Sequence, residues 1–157
     1  MEIRFERRAA SAALIPMLLA CAVGFAGRAT AGDTEKVGAA LCTLITQEDA
    51  AKRVGKAVGA GQVAGPLGTA CQWTATDDEG YLQVQAVPVD YWSAPSLAAG
   101  YRALPGIGQA AYVVPEMGGW AGGAKSAKEM VAVSLTGPAA SAEAVADLLK
   151  AVVERRK

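Results

Sequence analysis

A glycine-rich stretch at Gly118–Lys128, GGWAGGAKSAK, differs at one position from a phosphate-binding loop. The P-loop pattern is G-x-x-x-x-G-K-S/T, in which backbone N–H groups and the lysine hold phosphates where a strand leads into a helix. Here Ala124 replaces the second glycine, and 129–137 alternates in polarity as a strand does. We therefore interpret 120–125 as a short strand and 126–128 as its turn, and we predict no nucleotide cofactor.

The complete absence of histidine excludes several kinds of catalytic site. Ser-His-Asp and Cys-His nucleophile arrangements and histidine metal sites all require that side chain. Carboxylates remain, because three acids are adjacent at 77–79 and two others, Asp90 and Glu116, are isolated. A catalytic acid needs burial to raise its pKa, whereas adjacent acids in a predicted turn are typical of solvated residues. The cluster also lacks the alternating oxygen ligands of a calcium loop. We predict no catalytic residue and no metal site.

Four aromatic residues are the candidates for binding a ligand or a partner. Aromatic side chains in loop-rich segments often anchor a ligand, and Tyr91, Trp92, Tyr101 and Trp120 lie in or beside such segments. The alternative interpretation is that these rings pack within a small sheet.

Residues 1–31 predict a secretory signal peptide. Three arginines near the start precede an apolar run with small residues at its end. An A-x-A site at Ala29–Ala31 predicts cleavage after Ala31 and a mature chain that begins at Gly32. As an alternative, Leu18–Cys21 resembles a bacterial lipobox, and cleavage there would leave Cys21 lipidated. A retained membrane anchor is the least favoured alternative, because the apolar run is interrupted by proline and glycine.

Cysteine usage also favours export. Either cleavage leaves Cys42 and Cys71 as a pair, since Cys21 is then removed or lipidated. In an oxidising compartment the pair is expected to form a disulfide, and two buried free thiols are the alternative. Loss of the signal peptide removes four arginines but only two glutamates, so the formal charge falls from zero to about −2. We therefore predict no nucleic-acid partner.

The order of predicted elements indicates an α+β domain. The threonine, acids and glycine of 46–55 predict a helix over 47–54, and apolar residues at helical spacing predict another over 141–154. Alternation predicts the strands 70–76, 81–89, 110–115, 120–125 and 129–137. We expect an antiparallel sheet of about five to six strands with an N-terminal and a C-terminal helix on one face. The domain covers 41–157, after a flexible lead-in at 32–40.

Short motifs resemble those of a recurrent group of small exported bacterial proteins classed as domains of unknown function, whose best-known branch consists of lipoproteins. These proteins similarly carry a C-x-L-I/L-S/T motif before a helix, a C-x-W strand and a G-I/L-G-D/Q-x-A-Y/F turn. The corresponding residues are Leu41–Thr46, Cys71–Trp73 and Leu104–Tyr112, with Gln109 where an acid is commoner. The resemblance implies a Cys42–Cys71 disulfide and an α+β sheet with two helices. It implies no activity, so no catalytic residue is carried over.

We therefore expect an exported, periplasmic or secreted, non-enzymatic binding or accessory protein without a cofactor. Its partner would be an unidentified protein or small molecule of the cell envelope, contacted near Tyr91, Trp92 and Trp120. Membrane contact would be limited to the signal peptide or a lipid on Cys21. The alternatives are an exported enzyme that uses carboxylates such as Asp90 or Glu116, and an envelope-anchored lipoprotein lipidated at Cys21.

Overall fold

The computed structural model describes residues 31–65 and 67–156. Almost all of the predicted signal peptide, including the lipidation candidate Cys21, lies outside these residues. Within the described part of the chain, no helix is both long and apolar enough to cross a membrane.

Three helices and seven strands make up the described chain. The helices are α1 (Ala31–Leu44), α2 (Gln47–Val54) and α3 (Ala142–Arg155). The strands are β1 (Gln62–Ala64), β2 (Ala70–Thr74), β3 (Tyr81–Pro88), β4 (Arg102–Ala103), β5 (Ala110–Glu116), β6 (Gly119–Lys125) and β7 (Glu129–Thr136). A short 3₁₀ turn, Val89–Tyr91, follows β3.

All seven strands form one antiparallel sheet in the order β1-β2-β3-β7-β6-β5-β4. The predicted α+β class and the Cys42–Cys71 disulfide are confirmed. The sheet has more strands than expected, because β1 and β4 are edge strands of three and two residues. Such short strands carry no measurable alternation of polarity.

The helices cover one face of the sheet, which we call the helix face. In β3 and β7, Val84 is paired with Val133 and both are fully buried beneath the helices. The helices also contact one another, since Arg53 of α2 donates a hydrogen bond to the Ala144 carbonyl of α3 at 3.0 Å. The apolar stripe predicted for the C-terminal helix is buried in this core, namely Val145, Leu148, Leu149, Val152 and Val153.

Both ends of α2 are formed as predicted, and α3 begins at a cap of the same kind. Thr46 caps α2 by accepting the Asp49 N–H at 3.1 Å, and Gly55 ends the helix in the left-handed conformation. Ser141 caps α3 in the same way through the Ala144 N–H. These caps fix the position at which each helix meets the sheet.

The predicted lead-in at 32–40 is instead part of α1, which begins at Ala31. Residues 32–36 are polar, and the apolar residues of α1 that pack on the core, Val37, Leu41 and Leu44, begin only after them. Tertiary contacts stabilise the helix, because Leu41 is fully buried and Cys42 is bonded to Cys71 of β2. Gly38 also packs closely on the β1–β2 turn, where an added Cβ would lie 2.4 Å from the Gly68 carbonyl oxygen.

The glycines of β6 allow close packing on both faces of the sheet. A Cβ on Gly122 would lie 2.7 Å from Val145 Cγ1 of α3, so a side chain there would push the helix away. A Cβ on Gly123 would lie 2.8 Å from the Tyr112 ring on the opposite face. The stretch that resembles a P-loop is therefore a central strand, flanked by β5 and β7, where small residues admit a helix and an aromatic ring.

Candidate functional site

The face opposite the helices, which we call the open face, carries a row of polar side chains. The strand register places Gln62, Gln72, Gln83 and Ser134 side by side on β1, β2, β3 and β7. Neighbouring strands lie about 4.8 Å apart, so this row spans about 14 Å. Amide side chains both donate and accept hydrogen bonds, and the row therefore offers both functions to a ligand.

The hydrogen-bond partners of these amides differ. Gln72 Nε2 donates to Thr74 Oγ1 at 3.0 Å, and Gln85, in the next row, donates to Thr69 Oγ1 at 3.1 Å. Gln83 lies between them and makes no side-chain hydrogen bond within the described residues. Since it is only half-buried, its amide is available to a bound molecule.

An aromatic cluster of Trp92, Tyr101 and Tyr112 lies towards the β5 side of the open face, where Tyr112 shares a row with Gln85 and Gly123. The Trp92 and Tyr112 ring centroids are 5.6 Å apart at an angle of 57°, and Tyr101 stacks on Tyr112 at 5.9 Å. Tyr112 in turn lies over Gly123 on the open face. The segment from β3 to β4 thereby positions two of the predicted aromatic candidates against the sheet.

Tyr112 is a site residue that the sequence reasoning missed, because it lies within a predicted strand. Tyr112 lies between Ala111 and Val113, whose side chains are buried on the helix face. This alternation predicts that the Tyr112 side chain lies on the open face. Burial of the phenol raises the pKa of Tyr112 above its ordinary value of 10.0, with smaller contributions from Tyr101 and Glu116. The phenol is therefore a neutral hydrogen-bond donor and acceptor at neutral pH.

The other aromatic candidates occupy different environments. Tyr91 is 69% exposed at the end of the 3₁₀ turn, whereas Trp92 and Tyr101 are half-buried in the aromatic cluster. Trp120 is paired with Leu135 and packs against the core on the helix face. The structure therefore does not bring Trp120 together with Tyr91 and Trp92.

The acidic candidates form no catalytic arrangement. On the hairpin between β2 and β3, Lys56 Nζ lies 2.7 Å from Asp77 Oδ2 and 2.5 Å from Glu79 Oε2. The hydrogen bond from Lys56 lowers the pKa of Asp77, opposite to the shift that a general acid requires. Asp90 and Glu116 are exposed and lie in separate segments. In residues 31–65 and 67–156, no three His, Cys, Asp or Glu residues are arranged to hold a metal ion.

The open face also contains a concavity. A cavity of about 350 Å³ opens beside β1 and β2, and Gln62, Gln72 and Thr74 are among its lining residues. Its volume lies within the range of small-molecule sites. The amide row is thus continuous with a space that a ligand can occupy.

No protein-family model, curated protein or solved structure matches the chain. The resemblance to exported domains of unknown function therefore stays a prediction from short motifs.

Proposed function

We propose that the chain is an exported, non-enzymatic binding protein that takes a neutral, polar ligand on the open face. The observation that carries this proposal is the accessible, unpaired amide of Gln83 between the cavity beside β1 and the aromatic cluster. A ligand there would meet hydrogen-bonding amides on one side and aromatic rings on the other.

The absence of charge in the centre of this face favours a neutral ligand. The row that contains Gln83 continues across β6 and β5 to Val114, and the neighbouring row runs from Gln85 to Tyr112. Their side chains are those of glutamines, serine, small residues, Val114 and Tyr112, and none of them is ionised at neutral pH. Among the residues that line the cavity beside β1, Asp78 is the charged one, so an anionic ligand would lose hydration without gaining an opposite charge. Polyhydroxylated molecules suit these contacts, because amides pair with hydroxyl groups and aromatic rings cover apolar surface.

A titration of the mature chain with neutral oligosaccharides tests the proposal, with uronic-acid oligosaccharides as charged counterparts. We expect the side-chain amide NMR signals of Gln72, Gln83 and Gln85 to shift with the neutral series. Gln83→Ala should weaken binding about 5-fold or more, as loss of one hydrogen bond predicts. Gln109→Ala, an exposed glutamine outside the sheet, is the control. Shifts confined to other surfaces, or equal binding by Gln83→Ala, would contradict the assignment.

Export is part of the same proposal. The Cys42–Cys71 disulfide supports it, because such bonds persist in oxidising compartments. Mass spectrometry of the chain recovered from its native cell provides the test. A mature chain that starts at Gly32 would support free export, an acylated Cys21 would support a lipid-anchored protein, and an intact N-terminus would contradict both.

A further inference from the structure

A second cavity, of about 270 Å³, lies between the β6–β7 turn and the C-terminal end of α3. It is separate from the open face, since two of its lining residues, Val131 and Val153, belong to the core beneath the helices. Their side chains are almost completely buried and form an apolar floor. The remaining lining residues come from the β6–β7 turn and the end of the helix, among them Ser126, Lys128, Glu129 and Arg156.

A partly buried ion pair forms one side of this cavity. Arg156 Nε lies 2.6 Å from Glu129 Oε1, and Arg156 Nη2 lies 2.7 Å from Glu129 Oε2. The two side chains are only 19% and 22% exposed. Because this pairing uses two of the five guanidinium N–H groups, three remain for another acceptor. The hydrogen bond to Glu129 also raises the pKa of Arg156, so it is charged throughout the physiological range.

Lys128 adds a positive charge that Glu129 does not neutralise. Ser126 Oγ holds the turn by accepting the N–H groups of Lys128 and Glu129, at 3.3 and 3.1 Å. In the described residues, no carboxylate lies within ion-pair distance of the Lys128 ammonium. The cavity therefore combines an apolar floor, a neutral Arg–Glu pair and one excess cation at its rim.

We propose that this cavity binds a small organic monocarboxylate. The carboxylate would lie between Lys128 and the free N–H groups of Arg156, and a short alkyl chain would contact Val131 and Val153. Carboxylates are the natural acceptors for a guanidinium fork and an ammonium group. The cavity is slightly smaller than most drug-sized sites, which limits the ligand to a short chain. This site is independent of the neutral-ligand site on the open face.

Hexanoate, hexanol and hexylamine are suitable probes, because they share one chain and differ in the charge of the head group. In NMR titrations of the mature chain, we expect hexanoate to shift the backbone amide signals of Ser126–Glu129 and Val153 in a saturable manner. Hexanol should bind at least 5-fold more weakly than hexanoate. Hexylamine should bind more weakly still, because its ammonium group would be repelled by Lys128, the one excess cation of the cavity.

Two substitutions on the exposed β6–β7 turn distinguish recognition of the carboxylate charge from the space that the cavity offers to the alkyl chain. Lys128→Gln should weaken hexanoate binding about 5- to 10-fold and leave hexanol binding unchanged. Ala127→Leu should weaken both by filling the cavity. Lys150→Gln, an exposed lysine of α3 outside the cavity, should behave as wild type. Equal binding of the three probes, unchanged hexanoate binding by Lys128→Gln, or shifts outside the turn and the end of α3 would overturn the proposal.

Discussion

Replacement of both Cys42 and Cys71 by alanine is expected to lower the free energy of unfolding by about 3 to 4 kcal/mol. The two cysteines are 29 positions apart and join α1 to β2. Without this bond, the unfolded chain regains the freedom of a closed loop of that length, which stabilises the unfolded state. Urea denaturation followed by circular dichroism measures the difference.

The disulfide has a second expected consequence, which is local to α1. This helix has little intrinsic support, and its closest contacts to the sheet surround Gly38, Leu41 and the disulfide. The double variant should therefore lose hydrogen-exchange protection in α1 more than in α3. A reducing agent serves as the control, because it should weaken the wild type to the level of the variant and leave the variant unchanged. A difference below about 1 kcal/mol would contradict the loop-closure argument.

The sequence predicted those elements whose capping residues or polarity pattern lie within or next to the element itself. Thr46 and Gly55 delimit α2, and the alternation of Leu82, Val84 and Ala86 predicts which side of β3 is buried. The α3 stripe predicts its buried face for the same reason. These features depend on residues that are close together in the chain, so they can be predicted from a single sequence.

Features set by long-range pairing were not predictable in this way. β7 lies between β3 and β6, so strands from the two halves of the chain are neighbours at the centre of the sheet. α1 likewise depends on its packing against β1, β2 and β3 and on its bond to Cys71. The pairing of Cys42 with Cys71 was an exception, because the predicted cleavage of the signal peptide left only these two cysteines to pair.

The candidate site was predicted only in part, and the glycines of β6 explain one error. Because Gly122 and Gly123 have no side chains, GWAGGAK does not reveal which residues face the helices. The register shows that Trp120 shares the helix face with Gly122, away from the aromatic cluster. Conversely, the amide of Gln83 was visible in the strand pattern, but its lack of a partner depends on its neighbours across the sheet.

Trp73→Ala is expected to cost about 3 to 5 kcal/mol, the range for removing a large buried aromatic side chain. Trp73 is only 1% exposed and is among the largest fully buried side chains of the described chain. The backbone before β1 packs directly on its ring, since a Cβ on Gly61 would lie 2.7 Å from Trp73 Nε1. The substitution therefore leaves a cavity beneath an edge strand, and β1 should lose hydrogen-exchange protection.

The other two tryptophans provide the matched comparison for this prediction. Trp92→Ala removes the same atoms from the half-buried aromatic cluster, so we expect less than half of the Trp73 effect in urea denaturation. Trp120→Ala should lie between the two, because Trp120 is half-buried but packs against the core. Equal costs for Trp73→Ala and Trp92→Ala would show that the assignment of helix face and open face does not govern stability. Trp73→Ala is expected to have the largest effect because of the C-x-W spacing in β2. This spacing directs Cys71 and Trp73 into the core and Gln72 to the open face.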